Sequence, residues 1–499
     1  MGELRRIIFY FFIMIYLIAA PLTVLYALGY ILSPSRQALV QTGLVSLSSE
    51  PSEASVWVNN VLQKEKTPLI LRNLKPGQYI LRVSLPGTHP WQRQVEIEPD
   101  RVLRFENFLL FPKNLNPELL TDFPVTQFWR IPSGKNLLVL RNSRAMDLFF
   151  LEPEKNHLQP LFAGTSLENT KAEVDHVLPH PLGDRVLVTL KEDKTLRAHL
   201  VKLLFLSSFE VKTLAEVWTE APSEIHWGAT RQNSLFYLQG STLKRLDPEE
   251  QVEARHALPP LSLKEDVRGY TLKGRRLLVL DGQRCLFELT DKGKIARILL
   301  GDPARAHQIF GPDEGEPYSI FLLWHPFLFT PPEESFALFL SGGGKLFSNK
   351  LPYFLDEKVD EVIPATAHPR ALYRKGSEIW LVDFGREQEK VFFETGPSPR
   401  LIYQGKDRLS NLLWFYEDRY VLFVEDRWVK VLDLAGGDVF NLLGISGRVL
   451  KISLDEKRGY LYFAEPGKDR LSRVKLFEAG GIFPRLMDDL AAAGSEKPR

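Results

Sequence analysis

The hydrophobic and polar positions divide the chain into three regions with different patterns. Residues 7–35 contain no charged side chain, and residues 7–20 are almost continuously apolar. Residues 42–111 alternate between apolar and polar positions in short runs, whereas residues 114–480 repeat clusters of short apolar runs. Alternation with a period of two is typical of half-buried strands, and helical periodicity is nearly absent after residue 42. We therefore predict an all-β protein behind an apolar N-terminal segment.

The uncharged stretch predicts a transmembrane helix over residues 7–35. Its 29 residues exceed the roughly 20 that a helix needs to cross the hydrocarbon core. Arg5 and Arg6 precede the stretch and only Arg36 closely follows it, so the positive-inside rule predicts residues 1–6 in the cytoplasm and the rest of the chain outside. Two alternatives are a cleaved secretory signal with a small-residue site at residues 27–29 and a buried core helix. The length of the stretch favours the single-pass membrane helix.

Residues 42–111 have the pattern of a small antiparallel β-sandwich with five or six short strands. Alternation is clear at residues 55–58 and 79–83, and turn signals separate the runs. Two of these signals are the pairs Pro76-Gly77 and Pro86-Gly87. In a type II turn, proline presets φ and glycine accepts a positive φ, so we expect Gly77 to have a positive φ.

Several landmarks of this region occur in the order found in a known domain. They are Pro51, Glu53 and Ala54 in the tetrapeptide Pro51-Ser52-Glu53-Ala54, then Thr67 and Pro68, then Pro76 and Gly77 in the turn before Tyr79, and finally Trp91. With these landmarks the region resembles the PEGA domain, a small β-sandwich of bacterial and archaeal envelope proteins, although the order of Glu and the small residue is exchanged. The resemblance implies that these are structural residues in a binding or scaffolding domain of the cell envelope, and it implies no catalytic residue.

The region 114–480 has the spacing of a β-propeller. Clusters of a strand, a polar turn and a second strand start roughly every 40–50 residues, as in propeller blades. They lie at residues 136–151, 185–206, 234–246, 276–289, 336–347, 379–384, 420–434 and 460–463. The region is WD40-like only in this broad sense, because the strict Gly-His and Trp-Asp pairs are absent. We favour seven blades, with eight as the alternative, because residues 351–375 do not supply clean strands for two blades.

Two further predictions concern the beginning of the propeller region and the residues that follow its end. Residues 119–121 precede the first cluster and could pair beside the last C-terminal strands, which would close the ring and remove an exposed edge. Residues 481–499 are polar and rich in Ala, and we predict a flexible tail there.

Composition narrows the chemistry that the chain can perform. Lys plus Arg number 63 against 62 Asp plus Glu, a net charge of +1, so there is no global electrostatic reason to bind nucleic acid. The single cysteine, Cys285, excludes an intramolecular disulfide and a zinc–thiolate cluster. Because Cys285 lies in an apolar, strand-like run, we interpret it as a core residue.

The candidate site motifs have simpler interpretations. His176 and His180 have i, i+4 spacing, but prolines at positions 179 and 181 exclude a regular helix there. The sequence Gly-Gly-Gly-Lys at residues 342–345 lacks the upstream Gly and the following Ser or Thr of a phosphate-binding loop, and it suits a hairpin turn. Trp91 could stack on a sugar ring or a partner chain, although core packing explains it at least as well. We therefore predict no catalytic residue, cofactor or metal site, and Trp91 is the candidate for ligand stacking.

These patterns favour a membrane-anchored, extracytoplasmic binding or scaffolding protein of the bacterial cell envelope. Its propeller would present a face to an envelope protein or glycan. The alternative is an envelope glycan hydrolase or lyase with a propeller catalytic domain, because function concentrates in loops, where acidic pairs such as residues 313–314 and 333–334 lie. A glycosidase needs two carboxylates that face each other, which a sequence does not establish. A sensor subunit is disfavoured by the short predicted cytoplasmic part.

Overall fold

A computed structural model describes most of the chain. The described residues are 2–27, 30–33, 38–132, 135–141, 147–162, 173–191, 199–208, 210–218, 222–228, 234–248, 260–273, 276–310, 318–323, 337–348, 354–366, 368–383, 399–445, 451–465 and 470–477. The chain divides into two compact units. One comprises residues 1–116, 455–461 and 474–499, and the other comprises residues 117–454 and 462–473. The predicted tail, residues 481–499, lies outside the described residues.

The first element is helix α1, Gly2–Ala27. Its segment Ile8–Leu25 has a mean hydropathy of 2.4 and is not buried inside the protein, which argues against a buried core helix. By length and composition the helix can cross a membrane. The predicted span of residues 7–35 was too long, because strand β1, Tyr30–Ser33, follows the helix and pairs antiparallel with strand β2, Ala38–Gln41.

Seven strands then form two sheets. They are β3 (Gly43–Glu50), β4 (Ser55–Val58), β5 (Val61–Lys66), β6 (Leu69–Leu74), β7 (Gly77–Ser84), β8 (Trp91–Ile97) and β9 (Val102–Leu109). The sheet orders are β6-β3-β9 and β5-β4-β7-β8. The sandwich was therefore predicted correctly, but it has more strands than the expected five or six. It is also not wholly antiparallel, because β3 and β9 pair in parallel.

Alternation along the strands builds the core of this sandwich. On β3 the apolar residues Val45 and Leu47 are buried, while Ser46 between them is only half-buried. The same period places Leu81 and Val83 of β7 in the core and leaves Arg82 exposed. One face of each strand is thus apolar, and the apolar faces pack together and away from water.

The second unit begins with strand β10, Glu118–Leu119, and continues as a series of four-stranded meanders. Sheet 1 contains β11 (Val125–Arg130), β12 (Leu137–Arg141), β13 (Asp147–Glu152) and β14 (His157–Phe162). Sheet 2 contains β15 (Glu173–Pro179), β16 (Arg185–Lys191), β17 (His199–Phe205) and β18 (Glu210–Trp218). Sheet 3 contains β19 (Ser223–Trp227), β20 (Leu235–Gln239), β21 (Thr242–Leu246) and β22 (Leu261–Lys264). Sheet 4 contains β23 (Val267–Lys273), β24 (Arg276–Asp281), β25 (Leu286–Leu289) and β26 (Ile295–Leu300).

Helix α2, Pro303–Phe310, follows sheet 4, and four more sheets follow the helix. Sheet 5 contains β27 (Ser319–Leu323), β28 (Ala337–Gly342), β29 (Lys345–Ser348) and β30 (Phe354–Asp356). Sheet 6 contains β31 (Glu361–Pro364), β32 (Arg370–Lys375), β33 (Glu378–Asp383) and β34 (Arg400–Gln404). Sheet 7 contains β35 (Leu409–Phe415), β36 (Tyr420–Glu425), β37 (Trp428–Asp433) and β38 (Val439–Gly444). Sheet 8 contains β39 (Lys451–Asp455), β40 (Tyr460–Glu465) and β41 (Arg470–Lys475), with β10 as its fourth strand.

The described residues therefore form eight four-stranded sheets of the propeller, not the seven that we favoured. Residues 351–375 explain the error, because they contain the end of one sheet and the beginning of the next. There β30 has only three residues and β31 only four, too short for a clear alternating pattern. The alternative of eight matches the number of sheets.

The closing contact was predicted correctly. Strand β10 pairs antiparallel with β41, with Leu119 opposite Ser472. The Leu120 N–H donates to the Leu471 carbonyl at 2.8 Å, and the Thr121 hydroxyl accepts the Leu471 N–H at 3.0 Å. Residues 119–121 thus fill the fourth position of sheet 8 and cover an otherwise open edge.

The first strand of each meander is the innermost. Neighbouring first strands contact one another at β11 and β15, β23 and β27, β27 and β31, and β31 and β35, as expected for strands that surround a central axis. Indole N–H groups add contacts between consecutive sheets: Trp227 donates to the Leu178 carbonyl at 3.0 Å, and Trp414 to the Ile363 carbonyl at 2.9 Å. The meanders repeat in the same direction, so all first strands begin at the same end of the propeller.

Candidate functional site

The PEGA landmarks Ala54 and Thr67 meet in one buried hydrogen-bond network. Thr67 is fully buried, and its hydroxyl accepts the Ala54 N–H at 3.0 Å and lies 2.7 Å from the Ser49 hydroxyl. Because the Ser49 hydroxyl donates to the Pro51 carbonyl at 2.8 Å, the Thr67 hydroxyl is the donor to Ser49. The Thr67 N–H and carbonyl also bind the Ala54 carbonyl and the Glu53 N–H. Both Pro51 and Pro68 follow cis peptide bonds.

Because of this network, we expect Thr67→Val to lower the stability of the region measurably. Valine has the shape of threonine but leaves the buried Ala54 N–H without its acceptor, so we expect the region 42–111 to lose about 1–3 kcal/mol of stability. Amide hydrogen exchange of peptides from this region of the full-length protein measures the loss. Thr67→Ser keeps the hydroxyl and is the matched control; equal exchange in the two variants would contradict the role given to the hydroxyl.

The two Pro-Gly pairs differ in geometry. Gly87 has φ of 83°, and the Thr88 N–H donates to the Leu85 carbonyl at 3.1 Å, which together define the expected type II turn. Gly77 also has a positive φ, but its value of 149° lies far from that of a type II turn, and the residue begins β7. The positive φ was predicted correctly for Gly77, whereas the type of turn was wrong.

Trp91 belongs to the core of the sandwich. It is only 4% exposed, and its ring stacks on Phe108 with centroids 4.3 Å apart and an angle of 18°. Phe105 meets it edge-on at 5.3 Å, and the Arg93 guanidinium lies 5.1 Å from the ring centroid. A side chain covered in this way does not offer a free platform to a ligand, so the stacking hypothesis was wrong for Trp91 and the packing alternative holds.

The other sequence motifs take structural positions. His176 and Pro179 lie in β15 and not in a helix. The Nδ1 atom of buried His180 accepts the Leu182 N–H at 3.2 Å. Residues 342–345 form the hairpin turn between β28 and β29, and Cys285 is buried, which raises the pKa of its thiol. The described residues hold no group of His, Cys, Asp and Glu side chains that could bind a metal ion, and the acidic pairs at 313–314 and 333–334 lie outside them.

A β-bulge recurs in the innermost strands of the propeller. In sheets 1, 2, 3, 4 and 7, a β-bulge interrupts the pairing near the beginning of the first strand. The bulges contain, in order, Thr126, Asp175, Glu224, Arg268 and Asn411. Bulges re-aim side chains and are common beside functional sites. The structure thus places a polar residue at the same end of five first strands, and we call this set the inner-strand bulges.

Glu224 is the member of this set with the most unusual environment. It has φ of 52°, in the left-handed region that non-glycine residues rarely adopt. Its Oε2 atom is buried and has no hydrogen-bond partner among the described residues. Burial raises the pKa of Glu224 to about 7, although a hydrogen bond from the Tyr270 main chain to the carboxyl group opposes the shift. A partly buried carboxyl group with a raised pKa is a candidate functional group.

Two aromatic side chains lie beside the Glu224 backbone. The Tyr270 hydroxyl, from β23 of the next sheet, lies within hydrogen-bond distance of the main-chain carbonyls of Glu224 and Phe236, which share its one proton. Its pKa is held well above the usual value by burial and then by the nearby carboxylate. The His226 ring meets the Tyr270 ring edge-on at 5.4 Å, and the surrounding protein lowers the His226 pKa although part of the residue is exposed. Both rings are therefore neutral near pH 7.

Comparison with known proteins supports the first β region. Residues 42–109 match the PEGA domain, which confirms the resemblance seen in the sequence. No curated protein matches the chain. Among solved structures, the β-propeller domain of Cps50 (Swd1) from Myceliophteria thermophila is similar over 73% of this chain and 100% of that chain, with a TM-score of 0.42 and 10% identity. The assignment as a propeller depends on the sheet topology described above.

The comparison also explains the altered name motif. Glu53 occupies the third position, where the name of the family has glycine, and it has φ of 62°. A positive φ at this position is the conformation that favours glycine. The exchange of Glu and the small residue therefore keeps this backbone conformation but places glutamate there, not glycine. The Glu53 side chain is 74% exposed, which is consistent with a structural role for its backbone.

Sequence reasoning missed Glu224 and the inner-strand bulges. The residues around Glu224 alternate like any half-buried strand, and nothing in that pattern shows that one carboxyl will be buried without a partner. The only local signal was Gly269, a glycine inside a strand-like run, which is a known mark of a bulge or a close backbone approach. The importance of Glu224 follows only from its neighbours in the next sheet.

Proposed function

We propose that the chain is a membrane-anchored, extracytoplasmic binding or scaffolding protein of the bacterial cell envelope. The observation that carries this proposal is the order of its parts: an exposed apolar helix, then a PEGA domain of extracellular type, then a propeller. Arg5 and Arg6 at the start of α1 favour a cytoplasmic side for that end of the helix. The propeller would then bind a component of the envelope.

A topology experiment tests the anchoring. A reporter that is active only outside the cytoplasm, fused after Arg499, should be active, and the full-length protein should remain in the membrane fraction. In a control variant, Arg5 and Arg6 are replaced by Asn, and Ser33 and Ser35 by Lys, which should reduce reporter activity because the charge bias is reversed. A soluble mature chain beginning near Tyr30 would show that α1 is a cleaved signal, and the anchoring part of the proposal would fail.

The binding part of the proposal is tested with the same protein. Detergent-solubilised protein is incubated with envelope proteins and glycans, and both retention and the release of reaction products are measured. Retention without product supports binding, whereas turnover that a loop carboxylate-to-amide substitution abolishes would favour the glycan hydrolase or lyase alternative.

A further inference from the structure

Trp428 is an aromatic side chain that is open to solvent at one end of the propeller. It is 43% exposed, whereas Trp91 in the sandwich core is 4% exposed. Its side chain has no ring contact, cation–π contact or hydrogen bond among the described residues. Gly444 backs one side of the ring, since Cη2 and Cζ3 of Trp428 lie 3.4 Å from the position that a Cβ atom of residue 444 would take. The indole therefore has a supported side and an accessible side.

The register of sheet 7 places Trp428 beside the loop that joins sheets 6 and 7, residues 405–408. Trp428 on β37 lies opposite Glu425 on β36 and opposite Gly444 on β38, and directly opposite residues of antiparallel strands share a face of the sheet. On that face the Glu425 carboxylate accepts the main-chain N–H groups of Lys406 at 2.6 Å and Asp407 at 3.4 Å. The loop and the indole therefore lie on the same face of sheet 7.

Exposed hydrogen-bonding side chains of both charges accompany the indole. They belong to the loop and to the turn that leads into Trp428, and they are Lys406, Asp407, Arg408, Asp426 and Arg427. Their side chains form no ion pair or hydrogen bond with the described part of the chain. The main chain that carries them is nevertheless fixed, because the Ile445 N–H donates to the Arg427 carbonyl at 2.8 Å and the Gly405 N–H to the Ser377 carbonyl at 2.7 Å. A fixed backbone thus presents donors and acceptors to solvent.

This combination of side chains favours one class of ligand. A sugar hydroxyl can donate to a carboxylate and accept from a guanidinium or ammonium group, so a neutral glycan can use both kinds of charge. An anionic ligand would be opposed by the two aspartates and a cationic ligand by the three basic side chains. The core of a protein–protein interface is depleted of charged residues, whereas the exposed residues that accompany Trp428 are mostly charged. A flat apolar ring with such neighbours suits a pyranose, which has a flat C–H face and hydroxyls around its rim.

We propose that Trp428 is the stacking platform of a binding site for a neutral glycan. A pyranose ring packs on the accessible side of the indole, and the side chains of residues 406–408 and 426–427 bind its hydroxyls. Burial of the sugar C–H face against the indole removes apolar surface from water. The Glu425 hydrogen bonds hold the loop in advance, which lowers the entropy lost on binding. This inference names the ligand chemistry of the proposed binding function and rests on it.

The test uses full-length protein in a detergent without a sugar headgroup, and the probes are the β-linked hexasaccharides of glucose and of N-acetylglucosamine. Calorimetry should detect binding of at least one of them, and Trp428→Ala should lower its affinity at least about tenfold, since stacking on an aromatic side chain contributes about 1–3 kcal/mol per ring.

Two further variants control for folding and for position. Trp428→Tyr keeps a flat ring and should retain most of the affinity, so a loss caused by altered folding is distinguished from a loss of the platform. Phe354→Ala is the matched control, because Phe354 is 47% exposed but lies on β30 of sheet 5; it should leave the affinity unchanged. Sorbitol, which has hydroxyls without a flat ring, should not compete with the hexasaccharide.

Several results would overturn the proposal: no binding of either hexasaccharide, equal affinity in the wild type and Trp428→Ala, an equal loss in Trp428→Tyr or Phe354→Ala, or effective competition by sorbitol. A hexaglutamate peptide that binds as tightly as the hexasaccharide and depends on Trp428 would assign the site to an acidic protein partner instead. The topology experiment does not involve Trp428. Retention of an envelope component that survives Trp428→Ala would leave the proposed binding function intact and would show that this site does not carry it.

Discussion

Gly269→Ala is expected to destabilise the propeller by at least about 3 kcal/mol, because the new methyl group would overlap the main chain of the adjacent sheet. A Cβ atom at Gly269 would lie only 1.9 Å from the carbonyl oxygen of Tyr318. The two strands cannot simply separate, since the Tyr318 N–H donates to the Arg268 carbonyl at 3.0 Å. Gly269 also pairs with Leu280 within its own sheet. The clash therefore has backbone on both sides and no flexible side chain to relieve it.

Denaturant unfolding of the full-length protein in detergent, with hydrogen exchange of peptides from β23 and β27, measures this effect. Gly444→Ala is the matched control, because its Cβ would lie 3.4 Å from the Trp428 ring, an ordinary contact. That variant should change stability by no more than about 1 kcal/mol. Similar unfolding midpoints for the two variants would contradict the close approach of sheets 4 and 5 at Gly269.

Elements with a strong local pattern were predictable from the sequence. Helix α1 was predictable because its charge-free stretch is long and apolar. The repeated hairpins were predictable because their strands alternate or, like β36, contain a run of five apolar residues. The number of sheets was not predictable in the same way, since β30 and β31 are too short to show a pattern. Strands β30 and β31 are defined by their pairing with neighbouring strands, and only the folded sheet establishes that pairing.

The candidate site shows the same difference between local patterns and long-range contacts more clearly. Residue type made Trp91 a candidate for ligand stacking, with core packing as the alternative. Packing against Phe108, which is distant in sequence, decides between them. Glu224 looked like an ordinary strand residue, yet its burial and its contact with Tyr270 come from the next sheet. Sequence patterns indicate which face of a strand is apolar; they do not indicate whether a particular polar atom will find a partner after folding.

Glu425→Gln is expected to cost about 3 kcal/mol, because it removes the charge from one member of a buried ion pair. Glu425 is 4% exposed and ends β36. Its carboxylate pairs with the Lys430 ammonium group. It also accepts hydrogen bonds from the Tyr403 hydroxyl and the Lys406 main-chain N–H, each with a donor–acceptor distance of 2.6 Å. It thereby ties the connection between sheets 6 and 7 to the body of sheet 7. The glutamine variant would leave the Lys430 charge in this setting without its counter-ion.

The Glu425 carboxylate should also make the stability of the protein sensitive to acid. Burial alone would raise the Glu425 pKa, but the hydrogen bonds from Lys430, Tyr403 and the backbone lower it from 4.5 to about 2. A group whose pKa is lowered by folding stabilises the protein above its unfolded pKa and loses that contribution as the pH falls through the folded value, here about 3 kcal/mol between pH 4.5 and pH 2.

The stability difference between the wild type and Glu425→Gln should therefore be constant above about pH 5 and shrink as the pH approaches 2. Urea unfolding of both proteins at a series of pH values measures it. Glu154→Gln is the control, because Glu154 pairs with Lys135 at 3.0 Å but both side chains are about half exposed; it should cost less than about 1 kcal/mol at any pH. A Glu425 difference that does not change between pH 5 and pH 2 would show that the carboxylate is not held ionised by its partners, since an ionised group with a lowered pKa must take up a proton on unfolding in this range.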